Sequence, residues 1–289
     1  MNKPQISVIV PCYNHSPFIV EALESVLNQT FTNFECIIIN DGSTDNTEEV
    51  VLEWIKKNEK FKYFHQVNSG LSSARNKGIS LSSGVFILPL DSDDKISENY
   101  LEACYKVLNG NSAVKIAYGA ARFFGNVNKK WNLDTYNFED ILYKNMIYCS
   151  GLYRKADWEI TGGYDENMKE GLEDWEFWIH ILKNGGEVVQ TDRCCFYYRL
   201  KDVSMITEQV VKNHYGYNSR VYIFEKHIEL YRKTNFYDMY FENYKLKKAL
   251  GNPLLHFKLN DLFSLTIRKI VLNFRNGILK IRNKFLKKM

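Results

Sequence analysis

The chain has 289 residues, of which 45% are hydrophobic and 25% charged. That balance supports a globular core and excludes global disorder, and no stretch approaches the roughly 18 continuous apolar residues of a membrane-spanning helix. The net charge of +4 is unevenly placed: Arg268, Lys269, Arg275, Lys280, Arg282, Lys284, Lys287 and Lys288 follow Asp261 with no acid among them, so the rest of the chain holds 30 of the 38 basic residues against 34 acids, a net of −4. A basic tail on an acidic body argues against a nucleic-acid-binding core.

Met1-Asn2-Lys3-Pro4 runs straight into a strand-like segment, which predicts no secretory signal. Ile6-Ser7-Val8-Ile9-Val10 has the pattern of a buried strand and stops at Pro11-Cys12-Tyr13-Asn14. Ser16-Pro17 predicts a helix start, with Ile19, Leu23, Val26 and Leu27 at helical spacing behind it. Cys36-Ile37-Ile38-Ile39 predicts a second strand, ending in Asn40-Asp41-Gly42-Ser43-Thr44-Asp45. Asp45 with Glu48 has the spacing of a capping pair for a helix through Trp54. Tyr63 to Gln66 predicts a short third strand, and Gly70 to Gly78 a loop entering a helix that carries Ser73 and Arg75.

The fourth strand, Val85 to Leu90, ends in Asp91-Ser92-Asp93-Asp94, three carboxylates within four residues. Crowded carboxylates repel unless a positive charge sits between them. A divalent cation with oxygen ligands, itself holding a phosphate, answers that need. The plainer alternative is a polar strand-to-helix turn with Ser97 as cap. Strands alternating with helices at this interval imply an α/β fold with a mainly parallel sheet. Ligands of such sheets bind outside the carboxyl ends of the strands. Tyr13-Asn14, Asp41, Asn68 and Asp91-Ser92-Asp93 all fall at those ends, which favours a site over a turn.

Lys115 to Gly119 predicts a further strand, and Trp131 to Asn145 a loop plus a helix. Gly162-Gly163-Tyr164-Asp165-Glu166 is a turn. Glu173-Asp174 opens a helix that stops at Gly185-Gly186, where acids also serve as a helix-start preference. Val188-Val189 predicts a last strand, with Tyr197-Tyr198-Arg199 beyond it. The six cysteines lack metal-site spacing, which implies a reduced, cytosolic compartment. The six histidines are scattered, as surface or core residues are.

Seven pieces in this order resemble the inverting, nucleotide-sugar-dependent glycosyltransferases of the GT-A fold, glycosyltransferase family 2. They are Pro11-Cys12-Tyr13-Asn14, Asn40 to Asp45, Asn68 to Asn76, Leu90 to Asp94, Gly162 to Glu166, Glu173-Asp174-Trp175 and Tyr198-Arg199, covering roughly residues 5 to 205. The resemblance implies a Rossmann-like catalytic domain over 1–210; outside it, the Tyr- and Lys-rich stretches of 211–289 predict a helical extension. It implies that Pro11, Tyr13 and Asp41 hold base and ribose, with Tyr13 stacking and Asp41 accepting from the base, and that Asn14, Asn68 and Ser92 line the nucleotide pocket. Arg75 would face the nucleotide. Asp91 would sit by the ribose or the metal, and Asp93 would ligate Mn²⁺ or Mg²⁺ across the two phosphates. Asp174 would be the general base, with Glu173 the second candidate. Where members often carry His two residues after the Tyr-Arg pair, this chain has Lys201, which can pair with the diphosphate instead and leaves the third metal ligand open. Trp131, Trp175 and Trp178 are candidates for stacking on an acceptor sugar or for the core.

The implied reaction is inverting transfer from a nucleotide-diphosphate sugar, a UDP-sugar first, to a hydroxyl of a glycan or lipid-linked acceptor in bacterial-type surface polysaccharide synthesis. The last segment repeats Ile267, Ile270, Val271, Phe274, Ile278, Ile281 and Phe285 at helical spacing among lysines and arginines. A basic amphipathic helix over 266–289 predicts peripheral contact with the inner face of the cell membrane. Packing on the catalytic domain or on a second subunit is the alternative and leaves a homo-oligomer open. Two other functions compete. A nucleotidyltransferase would want a Gly-rich loop and a lysine near the start, and Pro11-Cys12-Tyr13-Asn14 offers neither. A non-catalytic nucleotide-sugar or glycan-binding module would be expected to lose Asp93 or Asp174. A dehydrogenase is disfavoured by the missing Gly-x-Gly-x-x-Gly.

Overall fold

The computed structural model describes residues 3–56, 58–201 and 217–234. The chain divides into two compact units, Met1–Glu208 and Gln209–Met289. In the first, the elements run β1 (Ile6–Cys12), α1 (Ile19–Leu27), β2 (Phe34–Asp41), α2 (Thr47–Ile55), β3 (Phe61–Gln66), α3 (Leu71–Leu81) and β4 (Phe86–Pro89). Then come β5 (Lys95–Ile96), α4 (Tyr100–Gly110), β6 (Val114–Gly125), β7 (Lys129–Trp131), α5 (Phe138–Ile141), β8 (Leu152–Arg154), α6 (Lys155–Thr161), α7 (Glu173–Leu182) and β9 (Glu187–Leu200). In the second unit the described residues form two short helices, α8 (Tyr217–Lys226) and α9 (Ile228–Arg232).

The strands make a nine-stranded mixed sheet of order β3-β2-β1-β4-β8-β6-β9-β5, with β7 paired to β6. Neighbours from β3 to β4 are parallel, β8 is antiparallel to both β4 and β6, and β6 runs parallel with β9. Every residue of β1, β2 and β4 is buried, as strands covered on both faces by crossover helices must be. The helix α3 lies close against the sheet: a Cβ on Gly78 would stand 2.5 Å from Ile9 Cγ2, so only glycine fits there.

The chain steps from β1 outward to β2 and β3, then returns to place β4 on the other side of β1. The reversal opens a crevice at the carboxyl ends of β1 and β4, where ligands of such sheets bind.

Several elements differ from the sequence expectation. The first helix starts at Ile19 and not at Ser16-Pro17, because the His15 carbonyl first closes a turn onto the N–H groups of Phe18 and Ile19. The expected Asp45–Glu48 capping pair does not form: the N-cap of α2 is Asn46, Asp45 one residue before it accepts from Thr47 N at 3.0 Å, and Glu48 lies 3.9 Å from His65 Nδ1. Ser97 caps nothing directly: α4 begins at Tyr100, whose N–H donates to the Ser97 carbonyl. Residues 188–199 are one long strand, not two pieces, because β6 pairs with it across register shifts at Val114/Ile116 and Tyr118/Ala120. All six cysteines are free.

Candidate active site

Four loops converge at the carboxyl ends of β1 to β4. Tyr13 follows β1 and leaves its ring 46% exposed. Asn14 takes a left-handed backbone, φ +53°, which asparagine tolerates better than most residues. Its N–H donates to Ser43 Oγ at 3.0 Å and its Oδ1 accepts from Thr44 N at 2.7 Å, so Asn14 ties the loop after β1 to the loop after β2. Pro11 is buried within β1 opposite Ile39.

Asp41 closes β2. Its carboxylate is buried and accepts from Gln66 Nε2 at 2.7 Å, Ser69 N at 2.8 Å and Gly70 N at 2.9 Å. Two of those donors are the N–H groups that open α3, where the helix dipole favours a negative charge. Asn68 is exposed beside it. Gly42, at φ +73°, leaves room for Asn68: a Cβ there would lie 2.8 Å from the Asn68 nitrogen.

The acidic loop after β4 is wired from two sides. Arg75, fully buried on α3, donates from Nη2 to Asp91 Oδ1 at 2.6 Å and from Nη1 to Glu173 Oε1 at 2.5 Å. Ser92 is buried, with its Oγ 2.7 Å from His15 Nδ1. Asp93 Oδ2 lies 2.6 Å from Lys201 Nζ and 4.0 Å from His15 Nε2. Lys201 Nζ is also 3.3 Å from His15 Nε2. Burial pushes the His15 imidazole below its usual range despite the nearby Asp93 charge. Asp94 is buried; Oδ1 accepts from Arg199 N at 2.8 Å, and Oδ2 has no hydrogen-bond partner. Burial, then the Asp93 and Asp91 charges, push the Asp94 carboxyl well above the carboxylate range. Through Oδ1, Asp94 joins β9 to the loop.

Glu173 and Asp174 enter from α7. Gly171 at φ +81° and Leu172 at φ +68° make a left-handed corner just before them. Such a conformation costs a leucine roughly 1–2 kcal/mol, and it turns the first turn of α7 onto Arg75. Glu173 is buried and committed to that guanidinium. Asp174 remains partly accessible, and its Oδ2 accepts from Asn145 Nδ2 at 3.0 Å. Its low-dielectric surroundings, and then the adjacent Glu173 charge, push its carboxyl up to about 7; Arg75 and Asn145 pull the other way.

The structure therefore gathers Asp91, Asp93, Arg75, Glu173, Asp174 and Lys201 around one acidic loop, and sets Tyr13, Asn14, Asp41 and Asn68 along the neighbouring strand ends. Arg75 is a positioning residue in this arrangement, since no part of it is exposed. Two tryptophans do not reach the cleft. Trp175 and Trp178 are 3% and 0% exposed, with Nε1 groups donating to the Ile141 and Ile147 carbonyls, so they are core and not acceptor platforms. Trp131 stacks on Phe123, ring centroids 4.9 Å apart. Three residues with a place in the site carry no assignment from sequence: His15, Asp94 and Asn145. His15 follows the Tyr13-Asn14 motif directly, which was its one available signal.

The fit of a divalent cation can be tested on these donors. Asp91 and Asp93 offer hard carboxylate oxygens, 26% and 18% exposed, which suit Mn²⁺ or Mg²⁺. Ligand atoms of Asp91, Asp94 and Cys149 lie within 4.8 Å of one another. The Cys149 thiol, held neutral by burial and then by Asp91, suits neither ion. The hard donors of this loop are thus Asp91 and Asp93, each already beside a basic side chain.

Comparison with known proteins gives the family and the fold. The family model described as glycosyl transferase family 2 matches residues 7–168. The chain belongs to this family. An uncharacterised glycosyltransferase of Rickettsia bellii is 46% identical over 114 residues, 39% of this chain and 16% of the relative. A chondroitin synthase of Escherichia coli is 28% identical over 186 residues, 63% of this chain and 27% of the relative. A hyaluronan synthase of Pasteurella multocida is 28% identical over 200 residues, 67% of this chain and 20% of the relative. This family 2 chain thus spans about a sixth to a quarter of the length of these curated relatives. Among solved structures, S. aureus TarS 1-349 in complex with UDP-GlcNAc superposes with a TM-score of 0.62 at 21% identity, covering 70% of this chain and 60% of TarS. The mannosyltransferase PcManGT from Pyrobaculum calidifontis, in complex with GDP-Man and Mn²⁺, superposes with a TM-score of 0.61 at 15% identity, covering 95% and 81%. Both likenesses are of fold.

Proposed function

We propose that this chain is an inverting glycosyltransferase. It moves a sugar from a nucleotide-diphosphate donor, a UDP-sugar first, to a hydroxyl of a glycan or lipid-linked acceptor in bacterial-type surface polysaccharide or glycoconjugate synthesis. The observation that carries this reading is the division of labour among the carboxylates. Asp91 and Glu173 are both committed to Arg75, Asp93 faces Lys201, and Asp174, partly accessible like Asp91 and Asp93, has its carboxyl pushed up to about 7.

In this reading Tyr13 stacks on the base, and the Asp41 carboxylate, pinned by three donors, accepts from a base N–H. Pro11, Asn14, Asn68 and Ser92 shape the pocket around base and ribose. The acceptor hydroxyl gives its proton to Asp174 as its oxygen forms the new bond at the sugar C1. The bond from C1 to the phosphate oxygen breaks, and the nucleoside diphosphate leaves with the electron pair. Attack opposite the leaving group inverts the anomeric centre. A positioned base of this kind contributes about 10²–10⁴-fold in rate. Asp93 and Asp91 would hold Mn²⁺ or Mg²⁺, and such an ion, when bound, supplies positive charge against the departing diphosphate.

The uridine preference rests on Asp41, and the polymer-forming role on relatives named as chondroitin and hyaluronan synthases. The basic stretch 266–289 lies outside the described residues; we assign it the peripheral contact with anionic lipid at the cytoplasmic face of the membrane, on its amphipathic pattern.

Calorimetric titration with UDP, GDP and dTDP tests the donor site. Binding of one nucleotide, weakened in Tyr13→Ala and Asp41→Ala, supports it. Failure of all three to bind overturns it.

A further inference from the structure

Lys201 stands at the end of β9, where its Nζ is 2.6 Å from Asp93 Oδ2, 3.3 Å from His15 Nε2 and 4.9 Å from the centroid of Phe18. It lines an open cleft of about 500 Å³ with Asn14, His15, Phe18 and Arg199. The other cation of this wall, Arg199, is committed elsewhere: its Nε donates to the Asp93 carbonyl at 2.8 Å and its Nη2 to Glu21. Its guanidinium also lies over the Phe124 ring at 4.2 Å. Arg75 is sealed behind Asp91. Among the described residues of this wall, Lys201 is therefore the cation with capacity to spare.

The capacity follows from the chemistry of an ammonium. It carries three N–H donors on a flexible stem and acts as a compact point charge. Asp93 takes one of those donors and His15 Nε2 lies within reach of a second, which leaves a third for an oxygen anion. A divalent ion bound at Asp93 Oδ2 would compete with this ammonium for that oxygen.

We infer that Lys201 is the built-in cation of the donor site: its ammonium, steadied by Asp93 and His15, engages the diphosphate, so that nucleotide binding persists without a divalent ion. The inference rests on the donor site proposed above. An ion held at Asp93 would add positive charge there and leave Lys201 freer for the phosphates, which makes the metal an aid and not a requirement.

The test is calorimetric titration of UDP into the full chain, once in EDTA and once in saturating Mn²⁺. UDP affinity of the wild type should differ by less than about threefold between the two. A charge-assisted hydrogen bond lost in Lys201→Met should weaken UDP binding in EDTA by about 10- to 100-fold. Mn²⁺ should restore part of that loss, and Mn²⁺ itself, followed by electron paramagnetic resonance, should bind Lys201→Met more tightly than wild type. Lys201→Arg should keep most of the binding in EDTA. A wild-type affinity that falls tenfold or more in EDTA overturns the inference, as does a folded Lys201→Met that binds UDP in EDTA like wild type. The wild-type comparison needs no variant to fold. Binding of UDP only with Mn²⁺ would sink this inference and leave the donor site standing; no binding of UDP, GDP or dTDP in either condition would sink both.

Discussion

Arg75 and Glu173, 98 residues apart in the chain, meet in a fully buried ion pair, with Arg75 Nη1 2.5 Å from Glu173 Oε1. Through the second arm of the guanidinium, 2.6 Å from Asp91, the pair fastens the first turn of α7 to the acidic loop after β4. The base candidate Asp174 is the next residue along. Its place relative to the Asp91–Asp93 loop is thus set by one side chain of α3.

Removing that side chain leaves two carboxylates facing each other without a counter-charge. Breaking a buried pair in this way costs about 3–5 kcal/mol. Arg75→Ala should lower the unfolding free energy by that much, while Glu173→Gln, which keeps a hydrogen-bond acceptor, should cost less. Urea unfolding followed by circular dichroism checks both. Arg75→Ala with wild-type stability would remove the clamp from the account.

The raised proton affinity of Asp174 makes a pH prediction with a definite sign. An aspartate with a folded value near 7 is protonated, and useless as a base, below it. Transfer rate should therefore rise with pH through about 7. Stability should move oppositely. The folded state holds this proton more tightly than the unfolded chain, so stability is lost as pH rises from the unfolded aspartate range through about 7. Asp174→Asn should accordingly raise the melting temperature at about pH 8 and change it little at about pH 4.

Asn145 donates to the ionised form of Asp174 and so pulls the value down. Asn145→Ala should shift the rising limb of the pH–rate profile to higher pH. A purely structural role would lower the rate at every pH and leave the limb in place.

Asp41 satisfies the N–H groups that open α3 as well as Gln66. Asp41→Asn puts an amide NH₂ against these donors or turns it toward the base. Nucleotide affinity should fall by about tenfold or more, with a loss of stability of about 1–3 kcal/mol for the unsatisfied backbone groups. Calorimetry and urea unfolding on the same preparation separate the two effects.

Deleting residues 266–289 should abolish sedimentation with anionic liposomes and leave nucleotide binding intact, since the site residues named above all lie between Pro11 and Lys201. Undiminished sedimentation would assign membrane contact to another surface.

Much of the sheet was legible in the sequence because its signal is local. The run Phe86–Leu90 is apolar and Asp91, Asp93 and Asp94 follow at once, so a strand end and a carboxylate cluster are both written in nine residues. The same holds for Ile6–Val10 before Tyr13 and for Cys36–Ile39 before Asp41. Helix starts were less legible: the turn closed by the His15 carbonyl displaces α1 by a few residues, and no side-chain pattern marks it. The wiring of the site was hidden for a different reason. Arg75 on α3 carries the ordinary look of a surface arginine, and its burial depends on Glu173 arriving from α7. Asn145 has no motif and acts only because its loop packs beside Asp174. Trp175 and Trp178, near a helix start, were ambiguous until their Nε1 groups found backbone carbonyls in the core.

The account turns on base-assisted, inverting transfer at Asp174. The most direct measurement incubates the chain with a panel of nucleotide sugars and with glycan and lipid-linked acceptors, follows release of nucleoside diphosphate, and determines the product anomer by proton NMR. The prediction is acceptor-dependent release with the inverted anomer, reduced about 10²–10⁴-fold in Asp174→Asn while donor binding is kept. Undiminished release by Asp174→Asn, or a product of retained configuration, would contradict it.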